Sequence, residues 1–155
     1  MERVYPPKDR LAPLVSGDPR ILLASTRARV LIDAMRVWPE GLQFEIRTIE
    51  EMNQFEQDFD IQRIDGVRTG QGLQVVVSVL ATSATDQDAS LVTHATASET
   101  STGTALRRRT IQTWTPLDIT AGGDIRVTAH WVGVFDPVVL DLPGSVLQEC
   151  AQASF

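Results

Sequence analysis

The side chains in this sequence that could do chemistry are few and far apart. His94 and His130 are the available imidazole bases and Cys150 the available thiol. A nucleophile–base pair needs a histidine within hydrogen-bond reach of a Ser, Cys or Thr. Both histidines instead fall in strand-like segments, on the face opposite most of their apolar neighbours, where an imidazole is solvated or hydrogen-bonded. Cys150 falls on the apolar side of a short helical segment, which predicts a buried structural thiol. No G-x-S-x-G, phosphate loop or H-E-x-x-H is present, and Gly70-x-Gly72 lacks both a third glycine and a following helix, so it reads as a turn. The expectation is a protein with no catalytic residues and no resident cofactor.

Carboxylates offer the one metal option. Asp58 and Asp60 are spaced i, i+2 in an acidic segment that reaches Asp65, and Asp86 and Asp88 form a second such pair. Calcium takes several oxygens from loop carboxylates of this kind. A solvated acidic loop is the plainer reading, because no calcium loop with its glycine and terminal glutamate is present. Asp58, Asp60 and Asp65 stand as the candidate metal ligands. Arg107, Arg108 and Arg109 form the one basic cluster, suited to an acidic partner or a phosphate. The competing reading is a charged strand edge that blocks unwanted pairing. Trp38, Trp114 and Trp131 are either core residues between two sheets or anchors at a partner site.

These groups must be positioned by strands. From Ile21 onward, short apolar runs alternate with turn residues, the pattern of an all-β domain. Leu42, Phe44 and Ile46 alternate with Gln43, Glu45 and Arg47, which assigns one buried and one wet face. Residues 73–80 are β-branched or apolar on nearly both faces, as in a central strand. Residues 125–135 and 138–142 alternate again, and 90–97 and 110–117 are weaker, Thr-rich strands. Residues 26–38 carry Leu31, Met35 and Trp38 at helical spacing. The Pro39-Glu40-Gly41 turn joined directly to the next strand favours a β-hairpin, so the segment is assigned as strand. Residues 50–60 fit a helical turn or an acidic loop equally. Ser145 and Gln148 form a capping-box pattern, followed by Val146, Leu147, Cys150 and Ala151 on one side of a short C-terminal helix.

Residues 1–19 differ from the rest. Pro6, Pro7, Pro13 and Pro19 make this an extended arm ahead of a single domain at 20–155. Tyr5, Leu11 and Leu14 make it too apolar for a solvated linker, and they join Arg107, Arg108 and Arg109 as partner-binding candidates. The arm is expected to dock on its own sandwich or on another chain.

Two stretches carry a family resemblance. ILLASTRARVLIDAMRVWPEGLQFEI at 21–46 resembles paired strands closed by an aromatic-Pro-x-Gly turn. IQTWTPLDITAGGDIRVTAHWVGVFD at 111–136, followed by VVLDLPGSVLQECAQA, resembles the ending of the same family. That ending is a Trp strand, a Pro- and Gly-bearing loop, a strand closing near a second Trp, a short strand and an Ala-rich helix. The family is a set of small, uncharacterised actinobacterial proteins. This sequence departs from it at 98–110, where SETSTGTALRRRT replaces a glycine run, and at Val132, which replaces a proline. The resemblance implies a β-sandwich and carries no activity.

Composition sets the outer bounds. The 155 residues, 43% hydrophobic and 22% charged, suit one globular domain with a real core. A net charge of −6 disfavours a general nucleic-acid binder. Residues 1–36 are net positive and 37–66 strongly negative. One cysteine excludes an intramolecular disulfide, no apolar run is long enough to span a membrane, and the start MERVYPPKDR is unlike a secretory signal, so a cytoplasmic protein is expected. The sequence thus predicts an all-β, two-sheet antiparallel, immunoglobulin-like sandwich with a short C-terminal helix. Its expected role is a non-catalytic binding or structural module, acting on a protein partner or by self-association. The alternative is a small ligand- or divalent-metal-binding sandwich, or an enzyme using loop carboxylates.

Overall fold

The computed structural model of the chain describes residues 5–12, 14–15, 20–25, 28–51, 73–82, 87–101, 106–131 and 134–153. These residues form a two-sheet antiparallel sandwich. The strands are β1 (Ile21–Ala24), β2 (Ala28–Trp38), β3 (Gly41–Glu51), β4 (Leu73–Val79), β5 (Ala89–Leu91), β6 (His94–Ser101), β7 (Leu106–Pro116), β8 (Ile125–Trp131) and β9 (Phe135–Leu142), and a helix, α1 (Gly144–Gln152), follows them. One sheet runs β1-β2-β3-β7-β6 and the other β5-β4-β8-β9.

Alternation explains the core. Leu42, Phe44 and Ile46 of β3 are fully buried and face Leu73, Val75 and Val77 of β4 and Ile125, Val127, Ala129 and Trp131 of β8 across the sandwich. β4 lies inside its sheet between β5 and β8, which is why Val76 on its other face is half-buried as well. β1 and β8 bury every second residue, the period that a pleated backbone imposes.

β2 is a strand throughout, and the three residues at helical spacing fall on both of its faces, Met35 inward and Leu31 and Trp38 outward. Ala28, Val30 and Ile32 are buried, the register against β3 shifts between Asp33 and Arg36, and burial resumes at Met35 and Val37. Ala34 takes up the extra residue with φ +56°. The one-residue bulge turns the i, i+2 repeat into i, i+3 at that point, so Ile32 and Met35 share the inward face.

The chain end differs from the expected capping box. α1 begins at Gly144 behind Pro143, whose side chain offers no cap. Instead the Gly144 N–H donates to Asp124 Oδ1 at 2.8 Å, and Gln148 Nε2 donates to the Thr120 carbonyl at 3.0 Å. The helix start is pressed so close to the Gly122 carbonyl that a Cβ on Gly144 would lie 2.2 Å from it, so this tertiary contact fixes where the helix begins. Leu147, Cys150 and Ala151 are buried on the inner side as expected. The strands at 90–97 and 110–117 also run further than their composition indicated, β6 to Ser101 and β7 from Leu106. Pairing of Glu99 with Arg109 and Thr100 with Arg108 carries the ladder into the segment at 98–110.

Candidate functional site

The outward face of the five-stranded sheet holds the unusual chemistry. Across β2, β3 and β7 its positions align in rows: Trp38 with Gly41 and Pro116, Arg36 with Gln43, Asp33 with Glu45 and Gln112, Leu31 with Arg47 and Thr110, and Arg29 with Ile49 and Arg108. Leu22 of β1 lies beside Leu31. Among the described residues the face divides into a covered end, a polar middle and an open end.

The arm covers the first. Leu14 bridges Arg36, the Val15 N–H donates to the Met35 carbonyl at 2.7 Å, and Arg36 Nη1 donates to the Ala12 carbonyl at 2.6 Å. The Trp38 indole N–H donates to the Arg10 carbonyl at 3.2 Å, and Arg10 pairs with Glu40 of the turn. That hydrogen bond raises the Arg10 guanidinium further above its usual pKa. Beneath the arm, Trp38 and Trp114 meet edge to face with centroids 5.8 Å apart, 5% and 2% exposed, in a small cluster with Ala12. Their meeting place is Gly41, where a Cβ would lie 2.6 Å from the Trp114 ring and 2.6 Å from the Thr115 carbonyl. The glycine of the aromatic-Pro-x-Gly turn is therefore demanded by close approach. A cleft of about 720 Å³ remains between arm and sheet, lined by Tyr5, Pro6, Pro7, Arg36, Trp38 and Gln43 among others.

In the middle, buried Asp33 accepts two hydrogen bonds from Arg47 Nη2, at 3.0 and 2.9 Å, and Arg47 Nε pairs with Glu45 at 3.1 Å. The Asp33 hydrogen bonds, and then its charge, raise the Arg47 pKa. Gln112 donates to Glu45 at 2.8 Å, extending the ladder to β7. At the open end a depression of about 360 Å³ is lined by Leu22, Arg29, Leu31, Ile49, Arg108 and Thr110 with their neighbours. Among the described residues neither the Arg29 nor the Arg108 side chain has a hydrogen-bond or ion-pair partner, and both are exposed.

The structure distributes the partner-binding candidates in two places. Tyr5, Leu11 and Leu14 are 61%, 67% and 51% exposed on the arm, whose described residues dock within their own chain. The arginine triplet is split by strand alternation: Arg108 lies on the outward face, Arg109 is buried on the inward one, and Arg107 occupies the register position between Glu50 and Ser101. β7 is an interior strand, so these charges do not guard a sheet edge. Of the tryptophans, Trp131 joins the intersheet core, 6.1 Å from Phe135, while Trp38 and Trp114 lie outside it.

His94 stands beside Trp114 on β6 with its Nε2 buried and unpartnered, and His130 pairs across to Gln74 on β4, far along another sheet. Cys150 is buried. The metal candidates Asp58, Asp60 and Asp65 lie outside the described residues, as does Asp86, while Asp88 accepts a hydrogen bond from the Ala81 N–H at 2.7 Å. Among the described residues no group of three His, Cys, Asp or Glu is placed to hold a metal ion, and no helix is long and apolar enough to cross a membrane. Sequence reasoning missed Leu22, Arg29, Asp33, Arg47 and Ile49. Their signal was present: each falls on the wet phase of its strand, and three of the five are charged. Comparison of the chain with known protein families and with curated proteins finds no match.

Proposed function

We propose that the protein is a non-catalytic binding module that engages a protein partner through the outward face of its five-stranded sheet. The apolar residues on that face carry the reading. The outer side of a sandwich sheet is ordinarily polar. Here Leu22 is 60% exposed and lines one depression with exposed Ile49, and Leu11, Leu14 and Tyr5 are exposed on the arm at the other end of the face. Grouped exposure of this kind marks interaction surfaces, whereas single apolar residues such as Val92 and Val139 need no explanation. The arm is held by hydrogen bonds to its backbone, so little backbone freedom is left to lose when a partner covers it. A cytoplasmic setting belongs to the same proposal.

Site-specific photo-crosslinking tests the reading in the native host. A photoreactive amino acid at Leu22 should give an adduct of discrete mass, while the same group at Val139, exposed on the other sheet, should give none. Equal yields from both positions, or no adduct from Leu22, would overturn it.

A further inference from the structure

We infer that the open end of this face, around Arg29, Ile49 and Arg108, docks an acidic peptide segment that carries an apolar side chain between its carboxylates. The inference rests on the outward face being the binding surface and adds the chemistry of what binds there. The whole chain has a net charge of −6, yet among the described residues the depression at this end is lined by four arginines and by no Asp or Glu. Two of the four are already engaged or buried, Arg47 by Asp33 and Glu45, and Arg109 on the inward face. Arg29 and Arg108 are the two left to bind.

Their placement is set by register. Arg29 on β2, Ile49 on β3 and Arg108 on β7 occupy one row across three neighbouring strands. Strands lie about 4.8 Å apart, so the two arginines flank Ile49 with Cα atoms about 10 Å from one another. An extended peptide crossing the strands presents residues i, i+2 and i+4 to the sheet, its outer two about 14 Å apart. Long arginine side chains span that difference and grip carboxylates in a bidentate fork. The required pattern is acid, apolar, acid on alternate residues, with the apolar side chain over Ile49 and beside Leu22 and Leu31. Exposed ion pairs alone give little, and the aliphatic centre supplies the rest. A nucleic acid fits less well, because the row offers no aromatic platform for bases and the protein as a whole repels a long polyanion.

The test is fluorescence anisotropy with the full chain and a short labelled peptide of core Glu-Ser-Leu-Ser-Glu. Companion probes replace Leu by Ser, or both Glu by Gln, and a labelled DNA duplex and anionic vesicles stand for the other sources of negative charge. Arg29→Glu and Arg108→Glu should each weaken the peptide about tenfold. Both companion peptides should bind more weakly than the parent, and Arg126→Glu, on the other sheet, should change nothing. Arg29→Gln and Arg108→Gln, with melting curves for every variant, cover the case of a charge reversal that does not fold. Binding that ignores both arginines, or a duplex or vesicle bound more tightly than the peptide, would overturn the inference. Failure of every probe while Leu22 still crosslinks a partner would remove the acidic chemistry and leave the face. Failure of both would remove the face as well.

Discussion

Gly41→Ala is the sharpest perturbation of the covered end. The new methyl would lie 2.6 Å from the Trp114 ring and 2.6 Å from the Thr115 carbonyl oxygen, and neither is the loose end of a flexible chain. Overpacking of this kind costs about 1–3 kcal/mol. Displacing Trp114 from Trp38 forfeits an edge-to-face pair worth about 0.5–1.5 kcal/mol. Against these, alanine stiffens the unfolded chain and returns about 0.4–1 kcal/mol. The net is a destabilisation of about 2 kcal/mol, which for a chain of this size lowers the melting midpoint by about 4–8 °C. Calorimetry gives the midpoint, and near-ultraviolet circular dichroism reports the tryptophan pair. The same shift should loosen the arm, because the Trp38 indole holds the Arg10 carbonyl, so proteolysis at residues 5–12 should quicken. A variant that melts with or above the parent, with an unchanged tryptophan spectrum, would refute the claim that the two rings meet over this glycine.

Deleting residues 1–15 removes buried Ala12 and Val15, so it should cost about 2–4 kcal/mol and shift tryptophan emission to the red as Trp38 and Trp114 become wet; an unchanged spectrum would contradict the docked arm. Val127→Glu places an unpaired charge at a fully buried position between the sheets and should abolish cooperative unfolding, seen as loss of the melting transition. Native Cys150 should resist alkylation and react fully in denaturant, measured by mass. The hydrogen bond from Arg126 holds the Asp141 carboxyl below its usual pKa, so its stabilising contribution is present above the unfolded value and lost as pH falls through the folded one. Asp141→Asn should therefore lose less stability than the parent between about pH 5 and about pH 2, read from melts across that window.

The strands that alternate cleanly were legible one by one. Leu42, Phe44 and Ile46, or Ile125, Val127 and Ala129, declare their inward face without any partner. What the chain order hid was sheet order. Placing β7 beside β3 decides that Arg108 and Arg29 share a row, and no local pattern encodes that pairing, whereas alternation alone turns Arg109 away from them. Trp38 and Trp114 were legible as important but not as neighbours, because their contact forms across a glycine on a third strand position. The helix start was misread for a related reason: Ser145 and Gln148 offered a local cap, while the docking of Gly144 on the loop before β8 offered a stronger tertiary one.

Hydroxyl-radical footprinting of the full chain, alone and with the acidic peptide, tests most directly whether the outward face has one end closed by the arm and one end open for binding. The account predicts rapid oxidation of Tyr5, Leu11, Leu14, Leu22 and Ile49 in the free protein, with Trp38 and Trp114 protected, and a fall at Leu22 and Ile49 alone once peptide is bound. Tryptophans that oxidise as fast as Tyr5, or peptide protection that appears on β8 and β9 instead, would contradict it.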